Sequence, residues 1–159
     1  MGAGLAALPA LALALAAPVA LVVLVGLSRI TVPVPDGDPL VLARSDIVGT
    51  WQDEQGGRLV LAADGTFAAA DVCGDYSDAA TGAGAGFDLA SVKTGTGTWE
   101  STESDFPGEN TTEVRAEFGP GDVWTQYEAR GSAAVPVLWT YIGDPDAGEL
   151  CVLKKGTTR

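Results

Sequence analysis

Between Leu40 and Lys155 apolar residues do not recur at helical spacing; short alternating runs are cut by clusters of Gly, Asp and Pro. That cadence marks antiparallel hairpins, because a period of two puts one face of each run in a core and turn residues stop the run early. Eight candidate strands follow: Ile47 to Gln52, Arg58 to Ala62, Thr66 to Val72, Val92 to Glu100, Glu113 to Phe118, Val123 to Arg130, Val137 to Ile142 and Glu149 to Lys154. Asp64-Gly65 joins the second run to the third, and glycine accepts the positive φ of a tight hairpin turn. Gly119 to Asp122 and Gly143 to Gly148 serve later pairs, while Gly74 to Gly86 and Ser101 to Asn110 are longer connections. In the fifth run Val114, Ala116 and Phe118 face one way and Glu113, Arg115 and Glu117 the other, as in a sheet wet on one side. In the seventh, Val137, Trp139 and Tyr141 oppose Leu138, Thr140 and Ile142, so both faces are substantially apolar. Eight sequential antiparallel strands close most economically into an up-and-down barrel, which leaves no edge exposed; a two-sheet sandwich is the alternative.

The N-terminal stretch obeys a different rule. Leu5 to Leu27 is an apolar run of 23 residues, about 34 Å as a helix and enough to cross a hydrocarbon core of about 30 Å. Pro9 and Pro18 interrupt it, which membrane helices tolerate. A cleaved signal peptide is the rival reading. It lacks the basic leader, and cutting after Ala16 or Ala17 would leave VALVVLVGL exposed to water. The missing leader also leads us to expect a true start upstream of Met1. The predicted organisation is an N-terminus at 1–4, a transmembrane helix at 5–27, a proline-rich spacer at 28–39, a barrel domain at 40–156 and a tail at 157–159. Thr31 to Pro39, TVPVPDGDP, favours extended backbone.

Charge narrows the partners. All 9 Lys+Arg and 21 Asp+Glu lie at or beyond Arg29, so the domain carries the whole net charge of −12. A nucleic-acid binder needs clustered cations, and this domain repels polyanions. The chain has no His, the commonest general base and zinc ligand. Cys73 and Cys151 are predicted to form a disulfide if the domain lies outside the cytoplasm, the alternative being two buried thiols. Orientation draws opposing signals. Arg29 and Arg44 follow the apolar run, and the positive-inside rule alone would put the domain in the cytoplasm. The cysteines and the spacer argue for the outside, which is the expectation adopted.

Gly49-Thr50-Trp51 opens the first strand. This Gly-x-Trp resembles the opening of lipocalin and calycin-like proteins. The resemblance covers one tripeptide and the strand count, and implies a lipocalin-like barrel with Trp51 as a floor residue and Lys154 or Lys155 packed over its ring. The phrases GTWQDEQGGRLVLAADGTF, GTGTW and YIGDPDAGE are similar to small secreted or membrane-anchored proteins of high-GC actinobacteria. Gly97-Thr98-Trp99 repeats the opening tripeptide, either as the echo of two related meanders or because Gly-Thr-Trp starts strands well.

The remaining candidates are structural in first reading. Trp51, Trp99, Trp124 and Trp139 are barrel-floor or core candidates, with a ligand cavity as the alternative. Asp144 to Glu149 resembles a calcium loop but reads better as an acidic turn, and Asn110-Thr111-Thr112 is a formal glycosylation sequon. No catalytic, cofactor-binding or metal residue is predicted. The sequence therefore predicts a single-pass cell-membrane protein, held by its N-terminal helix, whose extracytoplasmic barrel is a binding or interaction module and not an enzyme. Its partner would be a small ligand or an envelope protein, with no nucleic acid and no cofactor. A carboxylate-based enzyme and a structural subunit of a cell-envelope complex are the alternatives.

Overall fold

The computed structural model describes residues 32–78, 92–104, 110–119 and 123–156. The chain divides into two compact units, Met1–Thr31 and Val32–Arg159, and every described residue belongs to the second. The expected transmembrane helix, the residues before it and the tail at 157–159 lie outside the described residues. Among the described residues no helix is long and apolar enough to cross a membrane.

The elements in order are β1 (Asp38–Pro39), α1 (Arg44–Ile47), β2 (Gly49–Gln52), β3 (Arg58–Leu61), β4 (Thr66–Cys73), β5 (Ser77–Asp78), β6 (Val92–Ser104), β7 (Thr111–Phe118), β8 (Val123–Ser132), β9 (Val135–Tyr141), a 3₁₀ turn (Pro145–Ala147) and β10 (Leu150–Lys155). Eight strands, β2, β3, β4, β6, β7, β8, β9 and β10, each pair antiparallel with the next. Lys154 and Lys155 of β10 then pair with Gln52 and Trp51 of β2, which closes the sheet into a barrel. The remaining strands complete β8. There β7 pairs with Val123 to Glu128 and β9 with Glu128 to Ser132. β1 takes Arg130 and Gly131, and β5 takes Val123 and Trp124, so each fills a stretch that a barrel neighbour leaves open.

Alternation fills the interior. Trp51, Leu59, Leu61, Tyr127, Leu138 and Leu153 are each at most 1% exposed and belong to one cluster. Val114, Ala116 and Phe118 face inward from β7 as their pattern predicts. β5 lies inside the expected Gly74 to Gly86 connection and β6 runs on through Ser104 of the expected Ser101 to Asn110 connection, and two further departures have local causes. Ile47 ends α1 and does not begin β2, because it is fully buried and its carbonyl accepts the Trp51 indole N–H at 2.8 Å. A helix of four residues is too short to register as a period. Asp38 and Pro39 of the expected spacer are strand residues, since their backbone meets the open stretch of β8.

β4 carries a bulge. Ala69 pairs with Gly95 and Val72 with Lys93, so β4 holds one residue more than β6 over this stretch. Asp71 takes a φ of 50° there, and its N–H and carboxylate both engage the Thr94 hydroxyl. Past the bulge Val72 and Cys73 are consecutive and both buried, which strict alternation forbids.

Gly97 sets the packing in the middle of the barrel. It pairs with Phe67 on one side and Phe118 on the other, and the two rings meet edge to face over it at 4.8 Å. A methyl group at Gly97 would stand 1.9 Å from the Glu117 carbonyl oxygen and 2.8 Å from the Phe67 ring, whereas one at Gly119 would meet nothing within 4 Å. Gly97→Ala is therefore expected to destabilise the fold by about 3 kcal/mol, and Gly119→Ala to stay within about 0.5 kcal/mol of the parent. Urea titration of the two variants side by side checks this.

Candidate functional site

Two ends of the barrel and one outer face carry its chemistry. At the α1 end Trp51 is fully buried, with Lys155 Nζ 5.5 Å from its ring centroid. The same ammonium donates to the Asp46 carbonyl, so Lys155 ties α1 to β10. Lys154, the other candidate for this place, instead reaches Glu54 at 3.0 Å on the exposed surface. Trp99 repeats the arrangement: its indole N–H donates to the Ala62 carbonyl at 2.8 Å, and the Arg44 guanidinium lies 4.1 Å from its ring. Both Gly-Thr-Trp tripeptides thus bury an indole on a backbone carbonyl beneath a cation. The chain enters this end through Leu40, whose N–H donates to Ala129, and Leu42, whose N–H donates to the Thr112 hydroxyl. Thr111 and Thr112 of the sequon are buried, and the Thr111 hydroxyl donates to the Ala129 carbonyl.

The opposite end is closed by a covalent bond. β2 and β3 have four residues each, against eight in β4 and six in β10. Past the tip of the short hairpin, β4 and β10 meet through the Cys73–Cys151 disulfide, with Cα atoms 5.5 Å apart. Asp53, at the start of the hairpin turn, is a buried carboxylate that accepts N–H groups from Gln55 at 3.0 Å, Gly57 at 2.7 Å and Cys73 at 3.1 Å. Sequence reasoning named no acid at this position. The available signal was Asp53 followed by Gly56-Gly57 between two strands, the pattern of a side chain that folds back on its own turn. Beside it the Tyr76 hydroxyl donates to the Val72 carbonyl at 2.6 Å and the Tyr127 hydroxyl to the Cys73 carbonyl at 2.7 Å. Burial holds both phenols well above the ordinary tyrosine value, and for Tyr127 the neighbouring Tyr76 adds to the effect.

Trp124 and Trp139 lie outside the central core cluster, on the outer side of the wall, Trp124 half-buried and Trp139 buried at 5% exposed. Thr125, Tyr127 and Ala129 point inward from β8, and Leu138 points inward from β9 between Ala129 and Leu153, so the alternate residues must face out. The apolar outer side of β9 foreseen from sequence is this aromatic surface. Trp139 and Tyr141 meet edge to face at 5.0 Å, and the Arg115 guanidinium lies 4.1 Å from the Trp124 ring. The β8–β9 ladder begins at the pair of Glu128 with Trp139. Where the strands diverge from it lies a groove of about 250 Å³, lined by Trp124, Gln126, Glu128, Trp139, Thr140 and Tyr141. Tyr141's hydroxyl is held above its ordinary value by desolvation and then by the Glu128 charge, with Arg130 opposing. A shallower depression of about 570 Å³ crosses β3, β4 and β6 and is lined mostly by short side chains such as Ala68, Thr96 and Thr98, with Val60 and Phe67 among them.

The Asp144–Gly148 stretch is a self-contained turn in which the Asp144 carboxylate accepts the Asp146 N–H at 2.9 Å and Gly148 takes the left-handed conformation. Among the described residues no group of three or more His, Cys, Asp or Glu is placed to hold a metal ion. Comparison with known proteins gives no match: no family model, no curated protein and no solved structure aligns with the chain.

Two outcomes follow for the disulfide end. Asp53→Ala leaves three N–H groups without their acceptor and is expected to cost about 3 kcal/mol by chemical denaturation with the disulfide intact. The raised phenol values mean that the folded state holds its protons more tightly than the unfolded chain, whose tyrosines titrate near pH 10. Their contribution is complete below about pH 10 and is lost as the pH rises further. In an alkaline titration followed by phenolate absorbance, half-buried Tyr141 is expected to ionise with the fold intact, and Tyr76 and Tyr127 only as it unfolds.

Proposed function

We propose that this protein is a membrane-anchored, extracytoplasmic binding module whose recognition surface is the outside of its barrel. The observation that carries the reading is the division of space: large side chains occupy the interior, while the aromatic groove of β8 and β9 is open on the outer face. A lipocalin-like barrel that carried its ligand inside would need those core positions emptied. The Gly-x-Trp opening with Lys155 over Trp51 supports kinship of architecture and not of ligand site.

Placement outside the cytoplasm is supported by the disulfide, since such bonds persist in oxidising compartments. Anchoring is supported by the apolar run of residues 5–27. The carboxylate-enzyme alternative draws no support from Asp53, whose oxygens are engaged by backbone N–H groups.

Acid-quenching cells and alkylating the full-length chain under denaturing conditions is expected to find Cys73 and Cys151 oxidised. Free thiols at both positions would place the domain in a reducing compartment and overturn the extracytoplasmic reading. For the recognition surface, palmitate added to the full-length chain in nanodiscs is expected to leave the Trp51 indole resonance in place. A saturable shift of that resonance would return the ligand site to the interior.

A further inference from the structure

The outer groove has a chemical preference that can be read from how this chain treats its other tryptophans. Trp51, Trp99 and Trp124 each carry a cation of the chain itself, Lys155 at 5.5 Å, Arg44 at 4.1 Å and Arg115 at 4.1 Å from the ring centroid. Trp139 carries none among the described residues. It meets the Tyr141 ring at an interplanar angle of 80°, so the two rings form a right-angled corner. Trp139 is the floor of the groove at 5% exposure, and Trp124 and Tyr141 stand half-buried at its sides. Its cross-strand partner is a carboxylate, Glu128.

We propose that this corner binds an organic cation, an ammonium or guanidinium group, which takes at Trp139 and Tyr141 the place that Arg and Lys side chains take at the other tryptophans. The ring faces attract positive charge through their quadrupoles, and the attraction grows as the site sheds water. Glu128 lies on the rim and contributes a negative potential. The domain's net charge of −12 draws cations toward every part of it and repels anions. Arg130, the cation whose charge also reaches Tyr141, donates Nε to the Gly37 carbonyl at 2.7 Å, which holds its head group at β1. The groove volume of about 250 Å³ suits one such head group and little more. Small quaternary ammonium compounds and the side chains of basic peptides both present this chemistry.

The proposal rests on the outer-face reading, and the chain supplies its own internal controls for separating the two. In the ¹⁵N-labelled full-length protein, held in a detergent without ammonium groups, the indole N–H resonances of Trp51 and Trp99 report the interior, and those of Trp124 and Trp139 report the groove. Choline is expected to shift the groove pair saturably and leave the interior pair unmoved. Its uncharged isostere 3,3-dimethylbutan-1-ol is expected to bind at least about tenfold more weakly, as is choline to Tyr141→Leu. Glu128→Gln is expected to weaken choline about threefold, with unmoved Trp51 and Trp99 resonances reporting that the fold is retained. Acetyl-lysine methylamide and acetyl-arginine methylamide distinguish the sources: saturable binding of these tighter than that of choline assigns the site to a polypeptide cation, and the reverse to a small ammonium compound. Equal binding of the isostere, or no shift with any cation, overturns the proposal while leaving the outer-face reading standing. A shift confined to Trp51 and Trp99 overturns both.

Discussion

The wall of this barrel is discontinuous where the β2–β3 hairpin ends, and its closure there depends on Asp53 and the Cys73–Cys151 bond acting together. A four-residue hairpin cannot span strands of six and eight residues, so the backbone groups of β4 past its bulge need another partner. Asp53 supplies one to Cys73 and holds its own turn with the same carboxylate. The disulfide then joins two strands that the sheet order separates by two others. It also removes conformational freedom from the unfolded chain over a separation of 78 residues.

Closure at that end fixes what the interior can be. With β4 and β10 drawn together, the buried phenols of Tyr76 and Tyr127 hydrogen-bond to carbonyls of β4, and the space between the walls is taken by side chains. At the other end α1 is held between Trp51 and Trp99 by Lys155 and Arg44. A barrel of eight strands is wide enough for its side chains to fill, and the buried side chains of the core cluster occupy this one. Its variable chemistry is therefore on the outside, where the β8–β9 ladder ends and aromatic rings line the gap.

Much of this architecture was legible from spacing. The alternation of Val114, Ala116 and Phe118 gave the inner face of β7, and Asp64-Gly65 gave the β3–β4 turn. Trp51 and Trp99 were legible as the aromatics of the two Gly-Thr-Trp tripeptides, the first opening β2 and the second in the middle of β6. Trp124 and Trp139 were not, because tryptophan satisfies a core and a surface groove equally well by composition. Leu138, pinned between Ala129 and Leu153, shows which face of β9 is inner. Asp53 was hidden among many acids, since its role depends on the N–H of Cys73, 20 residues away.

The sequence by itself determined the strand cadence, the acidity of the domain and which two cysteines could pair, because these follow from local pattern and from counting. Which tryptophans face inward, which lysine covers Trp51, and where the wall needs a covalent closure were decided by tertiary structure. The first two depend on strand register and the third also on the bulge in β4, where a single inserted residue turns the side chains beyond it to the opposite face.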